Sequence, residues 1–230
     1  MKTSPLYLDY CATTPCDPRV VDCMLPYFTQ HFGNPASRDH GFGWLAREAV
    51  EEAREQVAAL IQASPGQIVF TSGATEAVNL ALKGLVEAGP TGGKHIITSR
   101  TEHDAVLDTC AYLEGKGVRV TYLVPDRSGA VSPDELERAI RRETICIALM
   151  YANNETGVIN PVKEIGEIAR EYGLSFLCDA TQAAGKIPVD VRSEQIDLMP
   201  LSAHKMYGPK GAGALFVRGS KARILRQQHG

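Results

Sequence analysis

Five short polar stretches carry side chains that can do chemistry. Ser72-Gly73-Ala74-Thr75 sets hydroxyls beside a glycine that allows close approach, a pattern that suits a phosphate group at a helix start. The same residues also serve as an ordinary helix cap. Glu102-His103 brings an imidazole that can lie over an aromatic ring or simply open a helix. Asn153-Asn154 adds amides, and Asp179 with Gln182 adds a carboxylate and a further amide. Asp179 follows the apolar Leu177-Cys178, where an unpaired charge is costly unless a cation such as a protonated ring nitrogen faces it. It can equally cap a turn over Ala180 to Ala184. Ser202 with His204-Lys205 completes the set: partial burial and cationic neighbours lower a lysine's pKa and fit it to attack an aldehyde.

The elements that must position these residues follow from periodicity. Leu45, Ala49, Ala53, Val57 and Leu60 recur at helical steps between Phe42 and Ile61. Ile68-Val69-Phe70 is a short strand, followed by a turn and a helix through Val78, Leu82 and Leu85. Strands are then expected at 95–98, 118–124, 145–150, 174–178, 196–201 and 214–217. Helices are expected from Asp104 to Glu114, from Ser132-Pro133 to about Arg142, and from Pro161 to Tyr172 before Gly173. Apolar strands alternating with amphipathic helices predict an α/β fold, a three-layer αβα arrangement with a mostly parallel sheet. In such a sheet ligands bind beyond the carboxyl ends of the strands, and each of the five polar stretches falls just after one. A phosphate cradle, a carboxylate for a ring nitrogen, a ring-stacking histidine and an aldehyde-capturing lysine are together what pyridoxal 5'-phosphate requires.

Composition bounds the alternatives. The 230 residues hold 24 Lys plus Arg against 27 Asp plus Glu, which argues against nucleic-acid binding by bulk charge. No apolar run is long enough for a membrane span, and the first ten residues lack a signal-peptide pattern. The six cysteines sit at neither disulfide nor metal spacings, so no metal site is expected and a reduced, cytoplasmic setting is. Asn154-Glu155-Thr156 fits a glycosylation pattern that has no meaning in that setting. Gly208-Pro209-Lys210-Gly211-Ala212-Gly213 lacks the spacing and place of a dinucleotide fingerprint.

The chain resembles the cysteine desulfurases of the class V aminotransferase family, pyridoxal-phosphate enzymes of fold type I. The resemblance is carried by Tyr7-Leu8-Asp9-Tyr10 with Ala12-Thr13-Thr14-Pro15, by Phe32-Gly33-Asn34-Pro35-Ala36-Ser37, and by Phe70 to Glu76. Thr101-Glu102-His103, Asn153 to Gly157, Asp179 to Gln182, Ser202 to Lys205 and Tyr207 to Gly211 continue it in order. It implies that Lys205 carries the cofactor and moves the proton at the substrate's α carbon, and that Asp179 keeps the ring nitrogen protonated. It further implies that His103 stacks on the ring and relays a proton, that Gln182 bonds its phenolic oxygen, that Asn154 reaches the same oxygen or the substrate carboxylate, and that Ala74, Thr75, Ser202 and His204 hold the phosphate. The implied substrate is L-cysteine, turned to L-alanine while its sulfur passes to a cysteine persulfide for iron–sulfur cluster assembly or tRNA thiolation. A homodimer and a sulfur-acceptor scaffold protein are the implied partners. Residues 1–15 would be an arm that packs on a small domain and 16–230 the cofactor-binding large domain. The family's nucleophilic cysteine loop and carboxylate-gripping arginine match nothing in this chain, so reduced cofactor affinity and lost turnover are expected. Among its own cysteines Cys11 is the candidate substitute nucleophile. The remaining alternatives are a selenocysteine lyase, an aminotransferase of the same class, or a silent cofactor-binding and dimerising module.

Overall fold

A computed structural model of the chain describes residues 5–89, 94–219 and 224–229. In chain order come α1 (Pro18–Thr29), α2 (Gly41–Leu60), β1 (Ile68–Thr71), α3 (Ala74–Ala88), β2 (His95–Ser99), α4 (Asp104–Glu114) and β3 (Arg119–Leu123). They are followed by α5 (Pro133–Ala139), β4 (Thr144–Met150), α6 (Val162–Glu171), β5 (Ser175–Asp179), β6 (Leu198–Ser202) and β7 (Gly213–Val217). The strands form one sheet in the order β1-β7-β6-β5-β4-β2-β3. β2, β3, β4, β5 and β6 pair in parallel, whereas β7 is antiparallel to both β6 and β1. Two reversals cancel, so β1 points the same way as β6 and its carboxyl end lies on the same side of the sheet.

Alternation along the strands divides the core into two layers. Ile147 and Leu149 of β4, with Phe176 and Cys178 of β5, pack under α2, α5 and α6 through Ala58, Leu136 and Ile165. Cys146, Ala148 and Leu177 face the other way, onto Val78 and Leu82 of α3 and Val106 and Cys110 of α4. Burial of each such large side chain contributes about 1.5–3 kcal/mol, enough to fix the register and therefore the side to which Asp179 turns.

Three elements differ by more than one residue from the sequence expectations. The helix expected to reach Arg142 ends at Ala139, because the Thr144 hydroxyl accepts from the Arg141 N–H at 2.7 Å and the Thr144 N–H donates to the Arg141 carbonyl at 3.0 Å. The strand expected from Ile196 starts at Leu198. Residues 18–29, left without an element by the periodicity, form α1, which Asp17 caps by accepting from the Arg19 N–H at 2.8 Å and which continues past an internal Pro26.

Candidate active site

The sheet opens where the chemistry gathers. Pro200 of β6 has no N–H to give, and the ladder between β5 and β6 is confined to Leu177 opposite Leu198. Beyond it, between Asp179 and Ser202, lies a cavity of about 570 Å³ bordered by the carboxyl ends of five strands. Ala74, Thr75, His103, Asn154, Asp179, Gln182, Ser202, His204 and Lys205 all line it.

On one wall, β1 turns through Ser72-Gly73 into α3. Ala77 is the first residue whose N–H closes a helical bond, to the Gly73 carbonyl at 3.1 Å, so the amides of Ala74, Thr75 and Glu76 stand at the open end of a 15-residue helix. The turn is folded by Glu76, whose carboxylate accepts from the Ser72 N–H at 2.6 Å and the Ser72 hydroxyl at 2.7 Å. The Ser72 hydroxyl and amide hold the Glu76 pKa below its usual range. Gly213 of β7 makes this approach possible, since a Cβ there would lie 2.5 Å from the Gly73 Cα and 2.6 Å from the Leu201 carbonyl oxygen.

Asp179 ends β5 and is buried. Its Oδ1 accepts from the Thr181 N–H at 2.9 Å and the Thr181 hydroxyl at 2.5 Å. The carboxylate therefore caps the following turn and faces the cavity as well; the two sequence alternatives coexist, with both capping bonds on one oxygen. His103 opens α4, and its Nδ1 accepts from the Ala105 N–H at 3.1 Å, which assigns the ring proton to Nε2.

Lys205 donates from Nζ to the carbonyls of Cys11 at 2.6 Å and Ala12 at 2.9 Å. Burial, and next the Lys186 ammonium, lower its pKa. Gln182 donates from Nε2 to the same Cys11 carbonyl at 2.8 Å and accepts from Lys186 Nζ on Oε1 at 2.6 Å. His204 shares a hydrogen bond between Nδ1 and the Thr13 hydroxyl at 3.0 Å, and its carbonyl takes the Thr14 N–H at 2.8 Å. Burial lowers the His204 pKa first, and Lys205 and Lys210 lower it further. The stretch from Cys11 to Thr14 is thus stitched across the turn that carries Lys205.

Sequence reasoning missed Thr13, Glu76, Thr181 and Lys186 as supports of this cavity. Lys186 is four residues beyond Gln182, a helical spacing that signals a possible contact, and Glu76 sits in the first turn of a helix. Cys110, Cys146 and Cys178 are buried, whereas Cys11 and Cys23 are exposed. Among the described residues no group of three His, Cys, Asp or Glu side chains could hold a metal, and no helix is long and apolar enough to cross a membrane.

A family model described as aminotransferase class-V matches residues 6–228. Curated relatives include the cysteine desulfurase IscS of Anaeromyxobacter dehalogenans, 55% identical over 98% of this chain and 56% of the relative. That of Neisseria gonorrhoeae is 56% identical over 99% of this chain and 56% of its own length. The chain spans about half the length of these curated relatives. Among solved structures, SspA in complex with cysteine superposes with a TM-score of 0.95 at 42% identity, over 98% of this chain and 65% of that one. The cysteine desulfurase of Thermococcus onnurineus, solved without ligand, gives 0.91 at 31% identity, over 98% of this chain and 56% of that one.

Proposed function

We infer, because the chain belongs to the class-V aminotransferase family, that its cavity binds pyridoxal 5'-phosphate and serves a cysteine desulfurase reaction on L-cysteine. The observation that carries this reading is the convergence of three unlike groups on one cavity. They are the open amides of α3, the Asp179 carboxylate and the Lys205 amine. The residues fit the cofactor: an anion suits the helix terminus, and both hydrogen bonds to the Asp179 side chain fall on Oδ1, leaving Oδ2 for a cationic ring nitrogen. The lowered pKa of Lys205 suits an amine that must be uncharged to capture an aldehyde.

When bound, pyridoxal phosphate supplies a ring that stabilises negative charge at the substrate's α carbon. Asp179 holds the proton on the ring nitrogen, and the half-buried Thr181 bonds keep its carboxylate from turning away. Lys205 holds the cofactor and later moves the proton at the α carbon. His103, which lines the cavity with its ring proton on Nε2, would stack on the ring and relay a proton. Gln182 serves the phenolic oxygen, Asn154 that oxygen or the substrate carboxylate, and Ala74, Thr75, Ser202 and His204 the phosphate. Of this chain's cysteines, Cys11 is the one tied to the site, through its own carbonyl.

We read 16–230 as the cofactor-binding domain and 1–15 as an arm. Leu6 and Leu8, 82% and 77% exposed, give that arm an apolar surface for further protein to cover. A second copy of the chain and a sulfur-acceptor protein are the proposed partners. L-Cysteine is proposed ahead of selenocysteine or an amino-group acceptor on the strength of the desulfurase relatives.

The test is the visible spectrum of the chain with added pyridoxal phosphate, for the natural sequence and for Lys205→Ala, before and after L-cysteine. A yellow band that requires Lys205 and moves on addition of L-cysteine supports the reading. A spectrum indifferent to the substitution refutes the cofactor site, and a band that responds to other amino acids but not to L-cysteine refutes the substrate.

A further inference from the structure

Glu102 is buried to 6% exposure at the corner between β2 and α4, one residue before His103. Its Oε1 accepts from the Met150 N–H at 3.0 Å, and its Oε2 is buried with no hydrogen-bond partner among the described residues. Met150 is the last residue of β4 and stands in register with Asp179 of β5, while the Tyr151 N–H donates to the Asp179 carbonyl at 2.9 Å. One side chain thus runs from the corner that carries His103 to the strand end that holds Asp179. The neighbouring Thr101 carbonyl is bound to the same loop by the Asn153 amide at 3.0 Å.

Among the described residues, the titratable groups facing Glu102 are Asp179 and Cys178 on β5 and Cys110 on α4, none of them cationic. A carboxylate at this place would be a buried charge with no counter-ion beside the negative Asp179, the costly arrangement that proteins avoid. As an acid, it leaves one hydroxyl unsatisfied and the Asp179 charge unopposed. Burial pushes the Glu102 carboxyl well above the ordinary range, in agreement.

We propose that Glu102 is a positioning residue that acts as an uncharged acid: through the Met150 amide it fixes the distance between His103 and Asp179 without adding a second negative charge under the cavity. The inference rests on the reading of the cavity as a pyridoxal phosphate site.

Two variants of the full chain test it. Glu102→Gln keeps an acceptor for the Met150 amide and carries no charge; Glu102→Leu keeps bulk and loses the acceptor. The expected result is that Glu102→Gln binds pyridoxal phosphate within about twofold of the natural protein, with the same visible band across pH, whereas Glu102→Leu binds about tenfold more weakly with a displaced band. The second readout needs no cofactor. A folded state that keeps a proton which the unfolded chain releases loses stability as pH rises above the ordinary glutamate range. The Tm of the natural protein should therefore fall relative to that of Glu102→Gln as pH rises. A Tm difference that stays flat with pH overturns the proposal, as does a Glu102→Gln band displaced like that of Glu102→Leu. Should Glu102→Leu fail to fold, the Glu102→Gln spectrum and Tm slope still decide. Failure of the natural protein to take up pyridoxal phosphate overturns the reading of the cavity and the positioning with it, whereas a flat Tm difference overturns the Glu102 proposal alone.

Discussion

A lysine captures an aldehyde only as the free amine, so whatever drives the proton from Lys205 sets the pH at which the site fills. Burial is the larger cause of its lowered pKa, and Lys186 is the next; Cys11, Asp179 and Asp9 act in the opposite direction. Lys186 also fixes the amide of Gln182: an ammonium on Oε1 obliges Nε2 to turn the other way. Removing the Lys186 charge removes part of the depression, so the Lys205 pKa rises and less free amine is present at a given pH. For Lys186→Met, the pH midpoint of lysine-dependent pyridoxal phosphate uptake, followed by the visible band, is expected to move upward, and Lys186→Arg is expected to restore it. The main residues of the cavity were legible because each lies at or just beyond the carboxyl end of a strand, and the rule for open sheets reads them off in order. Their supports were not. Gln182 meets Cys11 across 171 positions and Lys205 meets it across 194, and such contacts leave no mark in local periodicity.

At the scale of the elements, the cradle depends on a strand that contributes nothing to its chemistry. β7 must let the Gly73 turn come close, and at Gly213 an added methyl meets backbone on two sides. Gly213→Ala is expected to lower stability by about 1–3 kcal/mol, the usual cost of overpacking, and to weaken cofactor binding with it. Gly66→Ala, whose Cβ would meet nothing within 4 Å, should leave both unchanged. Denaturation midpoints and cofactor titrations of the two variants make the comparison. The alternating core elements were readable from period alone, whereas α1 was not. Its start signal, Asp17 followed by Pro18, and apolar residues at helical steps, Val20, Met24 and Tyr27, are present, but Pro26 interrupts the interior and reads as a helix breaker.

For the molecule as a whole, that unburied helix has a cost. A 12-residue helix is marginal in water without packing. Around it Leu25, Phe28, Phe32, Phe42, Trp44 and Leu45 are exposed, Phe28 to 71%. Exposed apolar side chains in this number, with Phe32 stacked on Phe42, suit a partner, and a second copy is the one proposed above. Phe28→Glu should weaken self-association in sedimentation equilibrium while leaving the Lys205-dependent band in place. A chain that sediments as the same monomer with and without the substitution would remove the support this surface gives to a dimer.

The placement of β7 between β1 and β6 also dictates an order in time. β1 spans Ile68–Thr71 and its ladder is made with residues 213–216, so the helix terminus that would hold a phosphate and the turn bearing Lys205 are joined by a strand that leaves the ribosome after both. Closing so long a loop is slow compared with the local pairings of β2, β3 and β4. The parallel half of the sheet can therefore assemble first, and competence to bind should arrive late and all at once, with the docking of a five-residue strand.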